Sequence, residues 1–170
     1  MSNKLSLRDF QEDLNRRVAV AGRAHAQNSS SLGLQAMGKR WLLPLSDAEA
    51  IVPVPSITDM PFARPWFRGL ARVREELLTV IDFAVISGAE PLPLNSEARL
   101  VVLSARYQTG SALLFERSLG LCDTRGSVQQ SIDLDLPWCT ALCRQADDSC
   151  WNVVDVAALI GDSRFMEVTQ

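Results

Sequence analysis

The stretch Pro65-Trp66-Phe67-Arg68-Gly69-Leu70 returns as Pro137-Trp138-Cys139-Thr140-Ala141-Leu142, 72 positions later. Val80-Ile81-Asp82-Phe83-Ala84 returns as Val153-Val154-Asp155-Val156-Ala157, 73 positions later, and Gly88 and Gly161 keep that second spacing. Upstream, Gly38 through Trp41-Leu42-Leu43 aligns with Gly110 through Leu113-Leu114-Phe115, again 72 apart. Blocks in the same order at nearly constant spacing mark an internal duplication. The period exceeds the roughly 20–50 residues of solenoid repeats, so each copy reads as a small all-β unit of about 60 to 70 residues. A unit of that size buries only about 60% of its unfolded surface. Packing two copies along apolar strands supplies the missing burial, which predicts a pair of small open barrels related by approximate two-fold symmetry, with a groove where they meet.

Working outward, short apolar runs at Arg40 to Leu45, Leu77 to Phe83, Leu100 to Leu103, Ala112 to Phe115 and Asn152 to Val156 have strand length. Pro, Gly, Asp and Ser punctuate them, as strands require. Pro53, Pro55, Pro61 and Pro65 make residues 53 to 66 an extended connection. The residues after Asp82 and after Asp155 read as short helical turns ending at Gly88 and Gly161. Ahead of all this, Leu7, Phe10, Leu14, Val18 and Ala21 recur at helical spacing between Ser6 and Gly22, an amphipathic helix. His25 to Ser31 is polar and aperiodic, a linker. The expected organisation is therefore 1–34 helix and linker, then 35–170 globular, with a first unit at about 35–95 and a second at about 96–165.

Hydrophobic residues make up 47% and charged residues 22% of the 170, an ordinary globular balance. The formal charge of −3 gives no global attraction to nucleic acid or an anionic membrane. No stretch is long and apolar enough to span a bilayer, and the N-terminus lacks the basic start and apolar core of a secretory signal. The chain is thus expected in the cytoplasm, where Cys122, Cys139, Cys143 and Cys150 are free thiols.

Trp66-Phe67-Arg68-Gly69-Leu70-Ala71-Arg72-Val73-Arg74, followed by Val80-Ile81-Asp82-Phe83, resembles the CheW signature, Gly-Val/Leu-x-Asn-Leu-Arg-Gly and then Val-Pro-Val-Ile-Asp-Leu. Trp41-Leu42-Leu43-Pro44-Leu45 through Ile51 is similar to the family's strand, "LPL" and "V-x-E-I" segments, and Arg99 to Leu103 and Ser111 to Leu121 are similar to its later strand region. The likeness covers about residues 35 to 165. It implies a mainly β fold of two five-stranded barrels and a non-catalytic adaptor without cofactors. It implies two partners as well: one barrel engages the regulatory domain of a CheA-type histidine kinase, and the groove engages a chemoreceptor's cytoplasmic tip. The N-terminal extension further resembles the PilI-type members that serve type IV pilus twitching. By the same likeness Arg74 matches the signature arginine, and Ala48, Glu49 and Ile51 lie where the family presents partner-facing residues. The chain departs from the pattern where Glu75 replaces the glycine after that arginine, a turn position that favours positive φ. Arg72 replaces Asn, Thr79 replaces Pro, Ala50 stands where many members carry Glu, and Phe115-Glu116-Arg117 replaces a Val-Asp pattern.

Arg74 is the leading contact residue, because a guanidinium offers five donors in a planar fork and arginine is enriched at binding hot spots. The plain alternative is that it braces its turn. Gly69 reads as a site of close backbone approach, and Ile51 as docking or core. Arg64, Arg68, Arg72 and Arg74 beside Trp66 and Phe67 also form a pattern that binds single-stranded nucleic acid by stacking and phosphate contact. The acidic stretch from Asp133 to Asp148 opposes that rival. A further rival is an interaction module that has lost its chemotaxis partners. Asp82 and Asp155 occupy equivalent places but lack the Thr/Ser-Gly of an aspartic-protease dyad, so they read as caps of the following turns. His25, the only histidine, lies beside the linker; the cysteine spacings make no zinc framework, and no phosphate loop or nucleophile elbow occurs.

Overall fold

A computed structural model describes residues 30–131 and 135–167. The expected helix at 6–22 lies outside the described residues. Twelve strands form two six-stranded sheets. The first half supplies β1 (Ser30–Ala36), β2 (Lys39–Pro44), β3 (Ala48–Pro53), β4 (Ile57–Thr58), β5 (Phe67–Val73) and β6 (Glu76–Asp82), and then the short helix α1 (Phe83–Ile86). The second half repeats this order with β7 (Arg99–Leu103), β8 (Ser111–Phe115), β9 (Arg117–Asp123), β10 (Val128–Ser131), β11 (Cys139–Arg144), β12 (Cys150–Val154) and α2 (Val156–Gly161), and α3 (Ser163–Met166) follows. β1 begins inside the stretch read from sequence as the end of the linker.

The sheet orders carry the duplication. One sheet runs β10-β11-β12-β2-β1-β9 and the other runs β4-β5-β6-β8-β7-β3. Exchanging each strand for its counterpart in the other half converts one order into the other. Local geometry repeats too. The Asp82 amide donates to the Trp66 carbonyl at 2.7 Å, and that of Asp155 to Trp138 at 2.8 Å. β5 shifts register against β6 between Phe67 and Gly69, and β11 shifts against β12 between Cys139 and Ala141.

The two halves are not the separate five-stranded barrels expected from sequence. Each half gives its first hairpin to the other half's sheet: β2 pairs in parallel with β12, and β8 with β6. A boundary between residues 95 and 96 therefore separates covalent repeats, not folded units. Nor do the sheets close, since among the described residues no ladder joins β3 to β4 or β9 to β10. Pro53 and Pro55 carry no N–H to donate between β3 and β4. At the other seam the Arg125 amide is taken by the Asp123 carboxylate at 2.9 Å, which turns the chain without starting a ladder.

Three apolar clusters follow from strand position. Between the sheets lie Leu34, Trp41, Leu43, Ile81, Phe83, Val101, Leu113, Phe115, Trp138 and Leu159. Phe83 meets Trp41 edge-on at 4.9 Å and stacks on Phe115 at 4.6 Å. Inside the curl of the β3–β8 sheet lie Ala71, Val73, Leu78, Val80, Leu100, Val102, Ala112 and Leu114. β7 and β8 serve both clusters, which is why they read as unbroken apolar runs, whereas edge strand β3 alternates. Inside the other curl, among the described residues, sit Leu42, Cys143 and Trp151, with Leu119, Cys122 and Val153 against them.

The capping carboxylates show how far the halves have diverged. Asp155 caps α2 through one bond, accepting the Ala158 amide at 2.9 Å. Asp82 is fully buried and accepts the Ala84, Val85 and Leu92 amides at 3.0, 3.2 and 3.0 Å, and Arg68 at 3.2 Å. Losing one cap bond costs about 1 kcal/mol, whereas orphaning two buried amides, the half-buried Val85 amide and an arginine costs roughly 3 kcal/mol or more. Urea titration should therefore find Asp155→Ala mildly destabilised and Asp82→Ala destabilised at least twofold more; equal losses would refute this division.

Candidate functional site

The docking residues proposed from sequence fall on β3, on β5 and on the turn from β5 to β6. Val73 pairs with Glu76, leaving Arg74 and Glu75 as a two-residue hairpin loop. Positive φ falls on Arg74 (56°), one residue before the position expected from the signature. Left-handed backbone costs a branched L-residue about 1 kcal/mol or more. The Arg74 side chain is exposed and forms no hydrogen bond or ion pair among the described residues, so bracing the turn does not account for it.

Glu49 is brought to the same place. β3 bulges there, because Ala48 pairs with Leu103 and Ala50 with Val102, with Glu49 left over between them. A shallow open groove results, with Val73, Leu78 and Val102 along its floor and Glu49, Arg74, Glu75 and Glu76 on its rim. No ion pair within 4 Å links Arg74 to these carboxylates, so both signs of charge are presented outward.

Ile51 and Arg72 lie on the other face of the sheet. Ile51 pairs with Val101 at the margin of the core between the sheets and stays 36% exposed. Arg72 is exposed opposite Leu77, itself 65% exposed. Ala48 is half-buried against the core between the sheets. Gly69 is buried with φ 127°, and a Cβ there would stand 2.2 Å from the Thr58 carbonyl oxygen. It permits edge strand β4 to lie against β5, and so shapes the backbone behind the groove.

Glu76 and Leu121 escaped the sequence reading, and Glu75 reads there as a departure from the turn and not as part of the face. Leu121, 68% exposed, pairs with Leu32 on edge strand β9 just as Ile51 pairs with Val101 on edge strand β3. The duplication held that signal. The arginine cluster, by contrast, disperses. Arg64 pairs with Glu167 at 3.5 Å, Arg68 pairs with buried Asp82, and only Arg72 and Arg74 are left free. Phe67 is buried and Trp66 packs against the core, so neither offers a stacking face to a base. The nucleic-acid reading loses its geometry.

Burial pushes the Cys122 and Cys139 thiols up, away from the thiolate a nucleophile needs. Among the described residues the four cysteines are unpaired, and no group of three or more His, Cys, Asp or Glu side chains is placed to hold a metal ion. Among the same residues no helix is long and apolar enough to cross a membrane.

Residues 31–164 match the CheW-like domain family. The chain belongs to that family. CheW-like proteins are non-catalytic scaffolds. The chain is 29% identical over 77 residues to protein PilI of Pseudomonas aeruginosa, a match covering 45% of this chain and 43% of PilI. It therefore spans less than half the length of that curated relative. The crystal structure of the scaffolding protein TtCheW from Thermoanaerobacter tengcongensis superposes with a TM-score of 0.66 at 15% identity, over 75% of this chain and 89% of that one. That likeness establishes a shared CheW-like fold.

Two substitutions separate backbone from contact roles at this CheW-like face. Gly69→Ala meets both a positive φ and a backbone clash, and should lose about 3 kcal/mol or more in denaturant titration. Arg74→Gly relieves the left-handed strain and should gain roughly 0.5–1 kcal/mol. A destabilised Arg74→Gly would show that the arginine braces the turn.

Proposed function

We propose that this chain is a cytoplasmic adaptor that couples a chemoreceptor to a CheA-type histidine kinase in a chemosensory array controlling type IV pilus or surface motility. The observation that carries the reading is the unpaired, strained Arg74 at the groove rim, on a chain whose CheW-like region spans residues 31–164. Keeping a charged residue in unfavourable backbone geometry without an internal partner is a cost that binding a partner explains. The similarity to PilI supports assignment to a pilus-associated system.

The proposed mechanism is tethering. An adaptor that holds two proteins at once raises their mutual effective concentration without new chemistry, so each interface can stay small, below about 1,200 Å², and remain reversible. The rim offers both signs of charge and the outer face offers Ile51 and Leu77, a polar edge beside an apolar patch, as docking interfaces require. On the family likeness, the kinase regulatory domain is proposed to dock on one sheet and the receptor tip along the seam where the two sheets meet.

Titration of the full chain against each purified partner tests the reading. Arg74→Glu should weaken binding to the kinase regulatory domain or the receptor tip by about tenfold or more, roughly 1.4 kcal/mol, with unchanged circular dichroism. Binding of the unaltered chain to neither partner would leave an interaction module outside chemotaxis. Unchanged curves for Arg74→Glu would remove Arg74 from the face.

A further inference from the structure

Asp47 is buried, yet no step of the docking reading uses it. It ends a single 3-10 turn (Leu45–Asp47) one residue before β3, and both its side chain and its main chain are tied to the connection between β7 and β8. Its Oδ1 accepts a hydrogen bond from Arg106 Nη2. The same Nη2 also donates to the Tyr107 hydroxyl at 2.8 Å, and the guanidinium lies 4.8 Å from the Tyr107 ring centre. The Asp47 carbonyl accepts the Ser104 amide at 2.8 Å. A buried carboxylate is costly without such a partner, so Asp47 pins the start of β3 to one spot on the neighbouring connection.

What is pinned is the phase of the strand. After the Glu49 bulge, Ala50 and Val52 pair with Val102 and Leu100 and point into the sheet's own interior, while Ile51 pairs with Val101 and faces out. Unbulged pairing onward from Ala48 and Leu103 would set Glu49 against Val102 and Ile51 against Leu100. A one-residue slip sends every following side chain to the opposite face, here burying Glu49 and Ile51 and exposing Ala50. Bulges re-aim side chains in this way.

We infer that Asp47 and Arg106 are positioning residues that hold the β3 bulge in place, so that Glu49 and Ile51 face outward. Their relevance to partner binding rests on the docking reading above; the register they impose does not.

Thiol labelling reads that register directly. Ile51→Cys and Ala50→Cys are introduced singly into the full chain, and labelling at each is resolved by peptide mass spectrometry, because native Cys150 is exposed and also reacts. With the clamp intact, Ile51→Cys should label several-fold faster than Ala50→Cys. Adding Asp47→Asn with Arg106→Gln should bring the ratio to one or below, and Arg106→Lys, which keeps the ion pair, should retain the original ratio. If the double replacement fails to fold by circular dichroism, Arg106→Gln alone is read in the same way. A ratio unchanged in a folded variant lacking the ion pair overturns the inference. The readout needs no partner, so a docking reading refuted by Arg74→Glu would leave this result standing.

Discussion

Among the described residues four ladders join the halves, antiparallel β1–β9 and β3–β7 and two parallel ones, and the parallel pair holds the middle of each sheet. In one parallel ladder, Asn152 and Val153 of β12 lie beside Trp41 and Leu42 of β2; in the other, Thr79 to Asp82 of β6 run beside Ser111 to Leu114 of β8. Parallel neighbours cannot be joined by a tight turn and need a long crossover. Here each parallel ladder sits in the middle of its sheet, with a hairpin and an edge strand beyond it. Removing either ladder would split a six-stranded sheet and open the shared core around Trp41, Phe83, Phe115 and Trp138. Both halves thus depend on each other for hydrogen bonds as well as for apolar burial.

That mutual dependence leaves β3 and β9 at the sheet edges, each with one flank unpaired among the described residues. β3 and β9 lie at equivalent edges, each with a bulge and one exposed aliphatic residue, Ile51 or Leu121. The sheets behind them differ in filling. The β3–β8 sheet closes over a full set of valines and leucines, whereas the other encloses a small cluster around Trp151, where Gly33 leaves room that a Cβ would take at 2.8 Å from Cys122 Sγ. The groove with Glu49 and Arg74 therefore rests on the more solid of the two supports, a favourable base for holding charged groups in fixed positions.

The repeat was legible because its punctuation is strong: Trp66 and Trp138, then Asp82 and Asp155, each sit at turns where geometry restricts the residue. The apolar runs of β7 and β8 were legible because both their faces are buried. β1, β9 and β10 were not, since their sequences are polar or short and their pairing is fixed by distant strands. The exchange of hairpins could not be read at all, because the periodicity of a strand says which face is apolar and nothing about which neighbour it joins. At the candidate site, Arg74 was visible through its surroundings in sequence, but its φ was assigned to Glu75 because the bulges that set the hairpin register leave no mark in composition. Asp47 was passed over, since an Asp after Leu45-Ser46 looks like any surface turn until Arg106, 59 residues away, is seen beside it.

The exchanged hairpins also bear on how the chain is made. β1 and β2 leave the ribosome ahead of the other described strands, whereas β12, the parallel neighbour of β2, leaves after them all. One flank of β2 therefore stays without its final partner until β12 has been made, more than 100 residues later. Long-range pairing of this kind slows folding and exposes unpaired strand edges to aggregation. Without β12 the hairpin of β1 and β2 would lack its parallel neighbour, and the core around Trp41 would lose Val154.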